Sequence, residues 1–344
     1  MATGLILDPD RDYITLLLSD GVSTPVEKVT DSCKLHLPDW FDEAKFKRAQ
    51  QFYRRNVYAI VAAMLYGTVT VMALPSVLNV LMFTKRSSSV LTAYRRYMAT
   101  LLYFVGWYTE DLKPGTRVWK SIESVRRAHS STSKRTNLKI PGMTISQRDI
   151  VAVQYSFVGY CALSPRMLGL QFSTADMEAF IHFWRVIGYM LGIEDRFNCC
   201  TADPSSSRIR MQQIQDQLFL PALSKVGEDF HRMSKYMLDG MWYFNVFLNP
   251  DAILYMTNRL TGVPGYGYPD KLLGRSQCAA YEKLSWYSRA ILWVLVKTND
   301  VNLSIAPLRW FHNALVSISV KIGIQYFPLP AIVRFGYKNA VVRI

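Results

Sequence analysis

Trp119-Lys120-Ser121-Ile122-Glu123-Ser124-Val125-Arg126-Arg127-Ala128-His129 is the first of two dense patches in this chain. The second is His182-Phe183-Trp184-Arg185-Val186-Ile187-Gly188-Tyr189-Met190-Leu191-Gly192-Ile193-Glu194-Asp195-Arg196-Phe197-Asn198. Arg126 and His129 stand three apart and so share a helix face. The second patch sits in a helix opened by Ser173 or Thr174, with Asp176 and Glu178 in its first turn and a stop at Gly192. Between the patches Ser146 caps a helix running through Leu163. Ser131 to Ile145 reads as a polar loop with Pro141-Gly142. Helix follows helix through the whole stretch, and strand-like alternation is scarce. The fold class is therefore all-α: a single large helical domain.

Outward from this stretch the pattern continues. Upstream, Tyr94, Tyr97, Leu101, Phe104 and Tyr108 recur at helical spacing, a stripe expected to be core. Val57 to Phe83 is 27 residues without a formal charge, between Arg54-Arg55 and Lys85-Arg86. Its length and flanks allow a membrane span, whereas Pro75, Gly67 and Asn79 also suit a pair of buried helices. Phe46, Ala49, Tyr53 and Val57 mark an amphipathic helix before it. Residues 1–40, with Pro9, Gly21, Pro25 and Pro38, read as an N-terminal, loop-rich arm, and 41–344 as the helical domain. Downstream, helices are expected through Leu260, then a Gly/Pro/Tyr loop to Pro269. Two further apolar helices follow, then a short basic tail in which a small β-ribbon is allowed.

Half of the 344 residues are hydrophobic and 19% are charged, so a sizeable core can form. The net charge is +14 and uneven: Lys85 to Lys139 holds 12 Lys/Arg against 3 Asp/Glu, and Lys271 to the end 10 against 2. A positive balance suits phosphates, carboxylates or anionic lipid heads. Zinc-finger spacing, basic heptads and RNA-binding strands are absent, so nucleic acid is not an expected partner. Five cysteines, only Cys199 and Cys200 adjacent, make neither a disulfide framework nor a zinc site. Free thiols and the lack of a charged-then-apolar start predict a cytoplasmic or ER-membrane-associated chain, not a secreted one.

Iron in haem needs a nitrogen, sulfur or phenolate ligand in an apolar slot, with cations for the propionates. His129, His182, Arg126 and Arg185 supply such groups in sequence. Glu178, His182 and Arg185 share a face that would orient an iron ligand; the blander reading is an ion-pair cluster, and a histidine among aromatics is usually a hydrogen-bonded core residue. No His-Glu-x-x-His, Gly-x-Ser-x-Gly or phosphate loop occurs.

The motifs Val125-Arg126-x-x-His129, Gln154-Tyr155-Ser156-Phe157-Val158-Gly159, His182-Phe183-Trp184-Arg185-Val186-Ile187-Gly188 and Leu191-Gly192-Ile193-Glu194-Asp195-Arg196-Phe197-Asn198 carry a resemblance. Over about 52–258 the chain resembles the rubber oxygenase (latex-clearing protein) and MpaB-type ER-bound oxygenase family, particularly its insect branch. The resemblance implies an all-α fold, haem b and dioxygen-dependent cleavage of isoprenoid double bonds. It places Arg126 beside the haem and His129 on the distal side of the iron, and suggests Glu110 as an upstream acid. Relatives carry the proximal iron ligand as the histidine of a Trp-Val-His, where this chain has Ala152-Val153-Gln154. His129 or His182 would then be the iron ligand, or no haem is bound. The expectation is a haem-dependent oxygenase of an apolar isoprenoid or lipid-like substrate, with a membrane surface as a further partner. The alternative is a non-catalytic lipid-binding or membrane-associated member.

Overall fold

The structure is a computed structural model that describes residues 13–269, 275–324, 326 and 328–344. Its helices are α1 (Tyr13–Ser23), α2 (Glu27–Ser32), α3 (Glu43–Arg55), α4 (Val57–Val71), α5 (Pro75–Thr84), α6 (Val90–Thr109), α7 (Arg117–Lys139), α8 (Gln147–Leu163) and α9 (Thr174–Leu191). There follow α10 (Pro204–Ile214), α11 (Leu220–Leu223), α12 (Glu228–Trp242), α13 (Pro250–Thr261), α14 (Ala279–Glu282), α15 (Trp286–Lys297), α16 (Ala306–Ile318), α17 (Leu329–Phe335) and α18 (Tyr337–Ala340). There is no strand among the described residues, so the allowed β-ribbon in the tail is replaced by α17 and α18.

The helix ends follow local chemistry. Ser146 and Ser173 cap α8 and α9 in reciprocal capping boxes with Asp149 and Asp176. Gly192 ends α9 at φ +101°, where a side chain would be strained. Two expectations fail. The polar loop expected from Ser131 is helix as far as Lys139: Thr136 returns its hydroxyl to Thr132 O, while buried Ser133 accepts a hydrogen bond from Ile145 N–H. Hydroxyls satisfied in this way do not break a helix. The arm is less loop-rich than expected; residues 1–12 lie outside the described residues, but α1 packs on α8, and Tyr13 Oη donates to Phe197 O at 2.8 Å.

The uncharged run from Val57 to Phe83 is α4 and α5, bent by 93° where Pro75 opens α5. No residue of α4 is exposed. A helix apolar on every side is a core helix or a membrane span; here α4 lies against α8 so closely that Gly67 touches the Ser156 carbonyl. A second junction is aromatic. The Tyr108 ring stacks between Tyr53 (4.4 Å) and Phe183 (4.2 Å), joining α3, α6 and α9. Trp184 donates its indole N–H to Tyr108 Oη at 2.7 Å and stacks on Phe157 of α8 at 5.3 Å.

Candidate functional site

The junction of α4, α5, α6, α7 and α8 encloses a cavity of about 220 Å³. Met72, Tyr97, Phe104, Val153, Phe157 and Leu191 give it a mostly apolar wall. An engineered cavity of about 150 Å³ holds benzene, so this is space for a small apolar ligand. Two basic side chains interrupt the wall: His129 from α7 and Arg96 from α6.

His129 Nδ1 is buried without a hydrogen-bond partner. Burial, aided by the nearby Arg96 charge, lowers its pKa to about 4. The imidazole is therefore neutral at physiological pH. The unfolded chain, with a histidine near 6.5, binds this proton first, so the stabilising contribution is complete above that pH. It is lost as pH falls through 6.5 toward about 4. From about pH 7.5 to about pH 5, wild type should lose about 2 kcal/mol more stability than His129→Gln. Paired urea titrations check this; identical pH slopes would contradict it.

Arg96 was not singled out by its sequence, although Arg96, Thr100, Tyr103 and Trp107 fall on one face of α6 and all line the cavity. Burial, with Arg86 as a like-charged neighbour, holds its guanidinium below the usual arginine value. Asp149 also lines the cavity, but its carboxylate is engaged by Ser76 (2.7 Å), Arg148 (2.9 Å) and Ser146 N–H (3.2 Å).

The other expected site residues lie elsewhere. Arg126 is buried, yet its guanidinium donates to Met190 O (3.0 Å), Val29 O (3.2 Å) and Cys33 O (3.3 Å). It is a cation on the C-terminal carbonyls of α9 and α2, where helix dipoles favour one. His182 sits on a different face of α9, accepting at Nε2 from Asp42 N–H (3.1 Å) with Trp40 edge-on at 5.9 Å. Arg185 spans Asp195 and the Trp40 ring. Glu110 pairs with Arg117 outside the cavity. Sequence spacing had joined Arg126 to His129, and His182 to Arg185; folding separates Arg126 and His182 from the His129 cavity. Among the described residues no three His, Cys, Asp or Glu side chains gather as a metal site.

The family model described as "ER-bound oxygenase mpaB/B'/Rubber oxygenase, catalytic domain" matches residues 51–263, more than half of the chain. The chain belongs to this family. A rubber oxygenase of Streptomyces sp. (strain K30) is 25% identical over 196 residues, covering 53% of this chain and 46% of that protein. The matched stretch thus spans about half of the relative's length. The solved structure of latex clearing protein in its closed state has a TM-score of 0.53 at 15% identity, covering 93% of each chain, which shows the shared helical fold.

The resemblance in sequence implies a haem between His129 and position 154. The gap these two residues line is about 20 Å³, room for roughly one water. Gln154 is fully occupied: Nε2 donates to Trp184 O (2.9 Å) and Asn198 Oδ1 (2.8 Å), and Oε1 accepts from Cys199 N–H (3.4 Å) and Sγ (3.1 Å). With no ligand nitrogen at 154, no slot, and Arg126 turned away to backbone carbonyls, the residues do not fit haem b in that arrangement.

Proposed function

We propose that this member of an oxygenase family takes up an apolar, isoprenoid- or lipid-like small molecule in the cavity beside His129, with no haem between α7 and α8. Gln154 carries this reading. An amide locked into four hydrogen bonds stands where the resemblance places an iron ligand, while apolar space lies on the other side of His129. The relative's name, rubber oxygenase, points the same way for the substrate and adds dioxygen as its co-reactant.

The test is spectroscopic. Protein made in cells supplied with iron and a haem precursor should show no Soret band and no iron by elemental analysis. It should still take up an apolar fluorescent probe, and Val153→Trp, which fills the cavity, should abolish that uptake. A Soret band lost in His129→Ala would overturn the reading. It would select a haem-dependent oxygenase with His129 as the axial ligand, which the unpartnered imidazole nitrogen favours.

We also propose that the protein meets a membrane through its C-terminal helices rather than through α4 and α5. Phe311, Leu315, Ile318 and Ile322 repeat along one helical face, each more than half exposed, and Trp310 beside them is 72% exposed. After Asp300 the sequence holds five cations and no carboxylate, and Lys321, Arg334 and Lys338 are exposed. An apolar stripe with basic neighbours suits an anionic lipid surface, to which each cation contributes about 1 kcal/mol. Cosedimentation with phosphatidylcholine/phosphatidylserine vesicles should exceed that with phosphatidylcholine alone, and Leu315→Ser/Ile318→Ser should reduce both. Retention on neither vesicle would refute this placement.

A further inference from the structure

The Arg96 guanidinium has no hydrogen-bond or ion-pair partner among the described residues. It lines the same cavity as His129, whose Nδ1 is equally unpartnered. Arg96 is half-buried in the cavity wall, and a cation drawn partly out of water normally has an anion beside it, because the desolvation cost is otherwise uncompensated. Its electrostatic neighbours are the Tyr97 phenol and the like-charged Arg86, and no carboxylate is among them. The one carboxylate on the cavity wall, Asp149, is spent on Arg148, Ser76 and its own helix cap. An unpartnered guanidinium and an unpartnered imidazole nitrogen therefore stand at one place in a mostly apolar chamber.

We infer that the cavity's ligand is an anionic amphiphile, its acidic head held by Arg96 and His129 and its apolar chain lying against Met72, Phe104 and Phe157. This rests on the cavity being a binding site, as proposed above, and adds the chemical class. The guanidinium offers a planar pair of N–H groups that match a carboxylate or phosphate. A neutral imidazole adds one N–H to the same head. The apolar wall would bind an ester or alcohol of the same chain, but leaves Arg96 uncompensated in those complexes. Selectivity for the acid follows from the charge that the protein holds in the cavity wall without a partner.

Isothermal titration of the full chain with geranic acid, geraniol and geranyl phosphate tests this. Wild type should bind the acid, the phosphate or both at least ten times more tightly than geraniol, and the better of the two identifies the head group. Arg96→Gln should bring the acid and phosphate down to the affinity of geraniol and leave geraniol unchanged. Arg96→Lys should keep part of the preference. Equal affinity of wild type for all three compounds overturns the inference while the cavity reading stands, and this comparison needs no variant to fold. Failure of all three to bind overturns both.

Discussion

Gly67→Val should leave little folded protein. A Cβ on Gly67 would stand 1.7 Å from the Ser156 carbonyl oxygen and 2.5 Å from its carbon. Those are backbone atoms of α8, so no side-chain rotation relieves the overlap. α4 and α8 would have to separate along the contact that floors the cavity. Overpacking a core usually costs about 1–3 kcal/mol, and a clash with backbone belongs at or above the upper end. Gly67→Ala, with the same Cβ, should already lower the unfolding free energy measured in urea by about 3 kcal/mol. Gly106 is the internal control: it is also helical, and a Cβ there meets nothing within 4 Å. Gly106→Ala should stabilise by about 0.5–1 kcal/mol, because glycine loses more freedom than alanine in a helix. Similar effects at the two glycines would refute the close α4–α8 contact.

Gln154→Leu should cost about 3 kcal/mol or more, although leucine is apolar, similar in size and well suited to a helix. The substitution removes four hydrogen bonds at once. Cys199 N–H loses its acceptor inside the core, where Cys199 and Asn198 are fully buried. One unsatisfied buried donor costs about 1–3 kcal/mol, and partial loss of a network adds to that. Gly188 is part of the same arrangement: a Cβ there would lie 2.3 Å from Gln154 Nε2, so the amide occupies space that only glycine leaves. Gln154→Glu keeps the shape but puts an acceptor against the Trp184 and Asn198 oxygens, and should destabilise by a similar amount. Urea denaturation of both variants decides it. A neutral Gln154→Leu would mean that the amide is not a structural keystone.

These expectations also show where the linear chain was informative. Helix starts at Ser146 and Ser173 and the stop at Gly192 were legible because a cap is a local event, settled by a few neighbouring residues. α7 was read too short because serine and threonine hydroxyls can bond back to their own helix, which composition does not reveal. The run from Val57 to Phe83 was ambiguous because a buried helix and a membrane helix bury the same residues. What the fold adds is that α4 is packed against α8 at Gly67 and has no exposed residue.

The sequence by itself determined an all-helical chain and its family, since periodicity, caps and ordered motifs are properties of the chain. Only the tertiary structure decided which of these residues meet. Arg126 turns to the carbonyls ending two helices, and His182 is taken by a backbone N–H before α3. Arg96, 33 positions before His129, becomes its neighbour across the cavity only because α6 and α7 fold onto the same space. A charge in a cavity wall acquires meaning from what surrounds it, and those surroundings come from distant parts of the chain.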